Sequence, residues 1–241
     1  VMLRSLLASE ILKIRKTKVF SLLFISPIMA AIVGYFVEIP VEGQAGWALL
    51  LAMMSAAHSL LILPLMISVF SGFVCRYEHQ SGGWRRLFSM PVARQEIYLA
   101  KFIIVFGLVA LNQLMFSIVY IAAGYFQGVG GSVPTEILLK CLLGGLIAAM
   151  PLIALTLWFS AMWSSFAAPF TLNVILTLPN MLVANSDTFR PWYPWVQPFV
   201  MMQAEEEGFF SVPVESLLVA VGVGFILFYI GGSLSIQKKA V

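Results

Sequence analysis

Long apolar runs alternate with short polar connections along this chain. The runs lie at about 19–37, 47–75, 102–126, 137–163, 166–184 and 214–236. Each reaches or passes the ~20 residues a helix needs to cross a bilayer's hydrocarbon core. The pattern predicts an all-α polytopic integral membrane protein with six transmembrane helices. The second run, at about 28 residues, would form a helix about 42 Å long and must tilt or project beyond the membrane. Residues 2–16 follow a different rule. Leu3, Leu6, Leu7, Ile11 and Ile14 recur at helical spacing, flanked by Lys13, Arg15 and Lys16, which predicts an amino-terminal amphipathic interfacial helix. Glu10 falls inside that apolar stripe. It either snorkels or pairs with Lys13 one turn on, or it makes a polar contact to the basic loop or a partner subunit.

Breakers sit inside the runs. Pro27, Pro64, Pro151, Pro169 and Pro179 each remove a backbone hydrogen bond, which a membrane tolerates only where neighbours satisfy the freed carbonyl. Gly144–Gly145, Gly222, Gly224 and Gly231–Gly232 offer small faces for close helix packing. Residues 185–213 combine Trp192, Tyr193, Trp195 and Phe199 with three prolines, then Glu205, Glu206 and Glu207. Aromatics at this density suit the headgroup zone, and the segment reads as short interfacial or re-entrant helices.

Charge orients the chain. Twelve of the 14 Lys and Arg lie in the amino terminus, in 76–101 or in the tail, leaving Lys140 and Arg190 opposite. Lys/Arg bias marks the cytoplasmic face, so both termini are expected inside and 185–213 outside. Eight of the 11 acidic residues fall on the outer side. The basic inner face suits anionic lipid headgroups; nucleic acid is not an expected partner.

With 61% hydrophobic and 10% charged residues, the sequence reads as one transmembrane domain over 1–241, with loops too short for a separate soluble module. Cys75 and Cys141 fall near opposite faces, which rules out a disulfide between them. No acid or base is expected deep inside a span, which argues against an ion-coupled carrier. His58, near a midplane, reads as a hydrogen-bonded structural histidine, and Asn112, Gln113, Asn173 and Asn180 as helix–helix contacts. The sequence has no Gly-x-Ser-x-Gly, His-Glu-x-x-His or P-loop pattern, so no catalytic, cofactor-binding or metal-ligating residue is assigned.

The informative connection is 76–101. It carries Glu78, a flexible Ser81–Gly82–Gly83, then Trp84, Arg85, Arg86, Leu87 and Phe88, and beyond them Pro91, Arg94 and Lys101. Apolar residues interleaved with the charges imply a short helix with one face buried. An acidic residue, a glycine turn, basic residues and a downstream P-x-x-R…K stretch resemble the coupling loop of membrane subunits of type-2 ATP-binding-cassette (ABC) exporters. The opening Glu10-Ile-Leu-Lys13-Ile-Arg-Lys is similar to that family's amino-terminal interfacial helix. Chain size and loop wording look closest to permeases of bacterial lantibiotic or bacitracin self-immunity systems.

This resemblance implies a permease in the bacterial cytoplasmic membrane, paired with a second permease, identical or paralogous, and surrounded by membrane lipids. Each permease would engage a separate cytoplasmic ABC ATPase that holds ATP and Mg. Glu78, Trp84, Arg85, Arg86, Leu87, Phe88, Pro91 and Arg94 would couple to that ATPase, beside Glu10 and Lys13 of the interfacial helix. Trp192, Trp195, Glu205, Glu206 and Glu207 would meet an amphipathic cargo such as an antimicrobial peptide, lipid or drug. A membrane scaffold or sensor that does not transport needs the same spans but no ATPase, and co-purification separates the two. The expected topology is itself testable. Single cysteines at Ser5, Gly82 and Ser211, in a background lacking Cys75 and Cys141, should label with an impermeant thiol reagent in intact cells only at Ser211. Labelling at Gly82 from outside overturns it.

Overall fold

The apolar runs fold as helices, because in hydrocarbon a helix alone satisfies its backbone within one segment. The computed structural model describes residues 2–15, 17–80, 82–203 and 218–239. It is 79% helical, with no strand among the described residues. In order come α1 (Met2–Arg15), α2 (Val19–Leu22), α3 (Ile25–Phe36), α4 (Gly43–Ala57), α5 (Leu63–His79), α6 (Gly83–Phe88) and α7 (Arg94–Phe126). Then follow α8 (Thr135–Ala148), α9 (Met150–Met162), α10 (Ala167–Thr177), α11 (Asn180–Val183), α12 (Gln197–Met202) and α13 (Gly224–Lys238). A π-helical turn, His58–Ile62, joins α4 to α5, and another, Leu218–Val223, leads into α13.

Val19–Phe36, Gly43–His79, Arg94–Phe126, Thr135–Met162 and Leu218–Lys238 are long and apolar enough to cross a membrane, and Ala167–Val183 is a shorter apolar helix. The chain is thus an all-α multi-pass membrane protein. Two helices outrun the bilayer. Gly43–His79 has 37 residues and Arg94–Phe126 has 33, or about 55 and 50 Å against ~30 Å of hydrocarbon. Nothing in 76–79 or 94–101 breaks a helix, so both continue into what composition marks as a loop. They carry α6 between them at the basic end of the molecule.

Two apolar clusters fill the interior. Toward the basic end Leu6, Ile14, Ile67, Phe70, Trp84, Tyr98 and Leu152 pack together. Toward the opposite end Trp47, Leu50, Met54, Phe116, Tyr120 and Met202 do so. A polar seam runs between α3, the π turn and α7. His58 Nδ1 lies 2.5 Å from Ser26 Oγ, and His58 Nε2 lies 3.1 Å from Gln113 Oε1. Donation from Nε2–H to Gln113 and acceptance from the Ser26 hydroxyl satisfy a neutral ring. Phe116 stacks on that ring at 4.4 Å. His58 is a structural histidine in this arrangement.

The prolines account for the asparagines. Pro27 has no N–H for the carbonyl of Leu23, four residues earlier, and Asn112 Nδ2 donates to that oxygen at 2.7 Å. Pro64 likewise frees the carbonyl of Leu60, and Asn180 Nδ2 donates to it at 2.8 Å. Asn173 Nδ2 reaches the carbonyl of Pro64 at 2.8 Å. The helix before each of these prolines is broken or widened: α2 gives way to α3 before Pro27, and the π turn precedes Pro64. Each break is closed by an amide from a different helix, which locks α10 and α11 onto the second span.

Past the fifth apolar helix the chain folds back. α12 packs on α8 and reaches the interior, where the Met202 sulfur lies 3.4 Å from Gln113 Nε2. Gly144 and Gly145 admit it: a Cβ at Gly145 would come within 2.6 Å of Met202 Cγ. A short helix forms at Gln197–Met202 within the segment expected to hold interfacial or re-entrant helices, with Pro198 in its first turn rather than breaking it. Glu205, Glu206 and Glu207 lie outside the described residues. Gly82 has φ +67°, which disfavours a cysteine there, so the exposed Gln80 is the better labelling position in the same loop.

The proline–asparagine pairing has a direct test. Asn180→Leu leaves the Leu60 carbonyl unsatisfied and should cost about 1–2 kcal/mol. Pro64→Ala returns an N–H to that carbonyl, so Asn180→Leu should cost much less in the Pro64→Ala background. Thermal unfolding of the four proteins in detergent measures the difference; equal losses in both backgrounds refute the pairing.

Candidate functional site

At the basic end three helices bring four charges into a closed ring. Lys13 Nζ lies 2.6 Å from Glu10 Oε1 and 2.7 Å from Glu78 Oε1. Lys101 Nζ lies 2.9 Å from Glu10 Oε2 and 2.8 Å from Glu78 Oε2. The signs alternate and the ring is neutral. The side chains of Lys101 and Glu78 are 0% and 1% exposed, and Lys101 also donates to the carbonyl of Val74 at 3.0 Å. α1 contributes Glu10 and Lys13, α5 contributes Glu78, and α7 contributes Lys101. All four charges lie outside the apolar runs, so the expectation of no acid or base deep inside a span is not overturned, but Glu78 and Lys101, expected in a loop, are buried. Glu78 and Lys101 stand where α5 and α7 outrun the membrane, and α1 folds across them and excludes water.

The anomaly in α1 is thereby explained. Leu6, Glu10 and Ile14 form its buried edge, while Ile11 faces outward at 47% exposure. Both readings of Glu10 hold together, since it pairs with Lys13 and also reaches the basic segment at Lys101. Burial alone would raise the Glu10 pKa, but Lys101 and Lys13 outweigh it and hold the carboxyl below its ordinary 4.5.

Beside the ring sits α6, a short helix with one buried face, as its interleaved pattern predicts. The turn that leads to it is tight: a Cβ at Gly83 would meet Glu78 Cα at 2.6 Å. Trp84 and Leu87 are buried and Arg85 and Arg86 exposed. Trp84 Nε1 donates to His79 Nδ1 at 3.3 Å, and His79 Nε2 donates to the Ser160 carbonyl on α9 at 2.8 Å. Two ammonium groups approach the Trp84 ring, Lys239 at 4.3 Å and Lys101 at 5.7 Å, an arrangement favoured by the ring quadrupole.

The end of α13 closes the assembly. Arg94 Nη1 donates to the carbonyls of Gln237 at 2.8 Å and Lys239 at 2.9 Å, satisfying oxygens that a helix terminus leaves without partners. Its guanidinium also lies 4.2 Å over the Phe88 ring. Lys239 Nζ donates to the Ala161 carbonyl at 2.5 Å. α6 is therefore fastened to α5, α7, α9 and α13 at once.

The structure divides the residues singled out from sequence. Glu10, Lys13 and Glu78 share one ring, with Trp84 and Leu87 packed beside them. Glu10, Glu78, Trp84 and Leu87 are buried and can position α6 but offer no surface to a partner in this conformation, whereas Lys13 is partly exposed. Arg85, Arg86 and Pro91 are exposed, Phe88 half-buried, and Arg94 caps α13. At the other end Trp192 is 58% exposed, whereas Trp195 is 5% exposed and donates its Nε1–H to Asn173 Oδ1 at 2.9 Å. Trp195 is a packing residue here and presents no surface to a cargo. Sequence reasoning missed His79, Lys239 and the burial of Lys101. A lone lysine among Leu99, Ala100 and Phe102 was the available signal for Lys101. Neither His79 nor Lys239 carries such a signal.

Removing one member of the ring leaves a buried charge without a partner, which typically costs about 3–5 kcal/mol. Lys101→Met should therefore lower detergent thermal stability by that order, and Glu78→Gln in the same chain should recover part of the loss. Because the Glu10 pKa is lowered by folding, its contribution is complete above 4.5 and is lost as pH falls through the lowered value. This contribution to stability should hold from neutral pH down to the ordinary 4.5 and fall as the pH drops further. Glu10→Gln should flatten that acid limb, and an unchanged limb in the variant would remove Glu10 from the account.

No curated protein matches the chain. Residues 6–180, well over half of it, match the family described as ABC-2 family transporter protein. The matched region begins in α1 and contains the whole charged ring, α6, the first four apolar helices and most of the fifth. This chain is a member of the ABC-2 family, the membrane-spanning subunit of an ABC transporter rather than its ATPase.

Proposed function

We propose that the protein exports an amphipathic substrate such as an antimicrobial peptide, lipid or drug across the bacterial cytoplasmic membrane, driven by a separate ATPase that docks on α6. The observation that carries this reading is the seating of α6. Its apolar face is buried in the chain's own core, and Arg85 and Arg86 stand exposed beside Met90. Partnership with an ATPase subunit follows from the family. In this reading both termini and α6 face the cytoplasm, where the Lys/Arg bias puts them. A second permease, identical or paralogous, would complete the pathway. Nucleotide-driven motion of the ATPase would push on Arg85 and Arg86. The ring of Glu10, Lys13, Glu78 and Lys101 would carry that push to α1, α5 and α7 together, because no one of those helices can move without parting a buried ion pair.

Cargo is the finer part of the proposal. The acidic Glu205–Glu206–Glu207 run, expected on the outer side, would attract a cationic amphipathic peptide of the lantibiotic kind by opposite charge. Exposed Trp192 would meet the peptide at headgroup depth.

One assay tests both parts: the minimum inhibitory concentration of a cationic lantibiotic in cells that express the permease with its ATPase. Arg85→Glu with Arg86→Glu should abolish protection and weaken ATPase co-purification by at least about 2 kcal/mol, roughly thirtyfold. Replacing all three glutamates by Gln should reduce protection while leaving co-purification intact. Full protection and normal co-purification in the arginine variant would overturn docking on α6. Unaltered protection at low and moderate salt in the glutamine variant would remove the acidic run from recognition.

A further inference from the structure

A second feature of the basic end belongs neither to the ring nor to α6. Between the elbow that leaves α1 and the end of α5 lies an open groove of about 390 Å³. Lys13, Lys18 and Arg76 give it a cationic rim, and Ile14, Phe73 and Val74 an apolar side. Lys18 and Arg76 are exposed and have no ion pair among the described residues. The ring keeps them unneutralised: both nearby carboxylates, Glu10 and Glu78, are taken by Lys13 and Lys101. The groove thus holds two uncompensated positive charges over an apolar surface, with the Arg76 guanidinium 6.0 Å above the Phe73 ring. Thr17 and Tyr77 add hydroxyl groups to the same lining.

Depth along the membrane narrows the occupant. Lys18 immediately precedes the apolar helix Val19–Phe36, and Arg76 follows directly on the apolar run that ends at Cys75. Both charges therefore sit where hydrocarbon gives way to headgroups, next to the apolar side of the groove. A soluble anion would use the cations alone. A phospholipid would use the cations for its phosphodiester and the Phe73 side for its first methylenes. We propose that this groove binds the headgroup of an anionic phospholipid, with the phosphate between Lys18 and Arg76. Bound there, the lipid bridges the elbow of α1 to α5 and braces the same two elements that the ring joins. The site stands independently of cargo and of ATPase docking.

Each basic residue near an anionic lipid surface contributes about fivefold to affinity. The test uses the full-length permease in detergent, titrated separately with dioleoyl phosphatidylglycerol, dioleoyl phosphatidylcholine and inorganic phosphate. Lipid adducts are counted by native mass spectrometry. The wild type should retain phosphatidylglycerol over phosphatidylcholine. Lys18→Gln with Arg76→Gln should weaken that retention about tenfold or more. The charge-conserving Lys18→Arg with Arg76→Lys should restore it, which separates loss of the site from loss of fold. Equal retention of phosphatidylcholine, or unchanged phosphatidylglycerol retention in the glutamine variant, overturns the proposal. Displacement of phosphatidylglycerol by equimolar inorganic phosphate would assign the groove to a soluble anion and overturn the lipid source. Unchanged lipid retention with loss of ATPase co-purification in the glutamine variant would assign it to the ATPase instead.

Discussion

A polar group without a partner costs several kcal/mol in hydrocarbon, and the long-range polar contacts of this protein's interior reduce that cost. Two mechanisms recur. Where a proline removes a backbone donor, an asparagine from another helix supplies one, as Asn112 does for Leu23 and Asn180 for Leu60. Where charges are buried, they close on one another until none is left over, as the ring of two lysines and two glutamates does. In both cases a partner comes from a helix distant in sequence, Lys13 with Glu10 being the one local contact. Satisfying local chemistry therefore also fixes the tertiary arrangement. The second span is held by α10 and α11 through amides, and α1 is held to α5 and α7 through ion pairs.

How much of this is legible in sequence depends on the kind of signal. The apolar runs locate the helices, because a run of ~20 apolar residues has few alternatives in a membrane protein. The ends of α5 and α7 are less legible. Composition marks 76–101 as polar and therefore as loop, but polar residues such as Arg76 and Glu78 continue a helix as well as they end one. Glu10 is half legible: its place in an apolar stripe announces that something must meet it, and only the fold identifies Lys101. The pairing of Pro27 with Asn112 and of Pro64 with Asn180 is invisible along the chain. It depends on which helices become neighbours, and separations of 89 and 120 residues for the two bonds leave no local trace. Trp195 shows the opposite limit. Its composition matches a headgroup aromatic, yet the amide of Asn173 gives its N–H a partner inside the protein.

The arrangement of the basic end explains why a six-residue helix can serve as a point of leverage. α6 is far too short to be stable alone, and it gains its order from what surrounds it. Trp84 enters the core beneath it, His79 ties it to the Ser160 carbonyl, and Arg94 holds the end of α13 against its Phe88 edge. A force applied at Arg85 or Arg86 therefore meets a body fastened to four other helices. Buried ion pairs suit that purpose better than apolar contacts alone. Apolar surfaces can slide with little change in buried area, whereas a paired buried charge loses its partner within a few ångströms of displacement and leaves a large desolvation cost unmet. In the proposed cycle the ring would make α1, α5 and α7 shift as one unit. The elbow of α1, braced on its far side by the groove of Lys18 and Arg76, would be the hinge about which they turn.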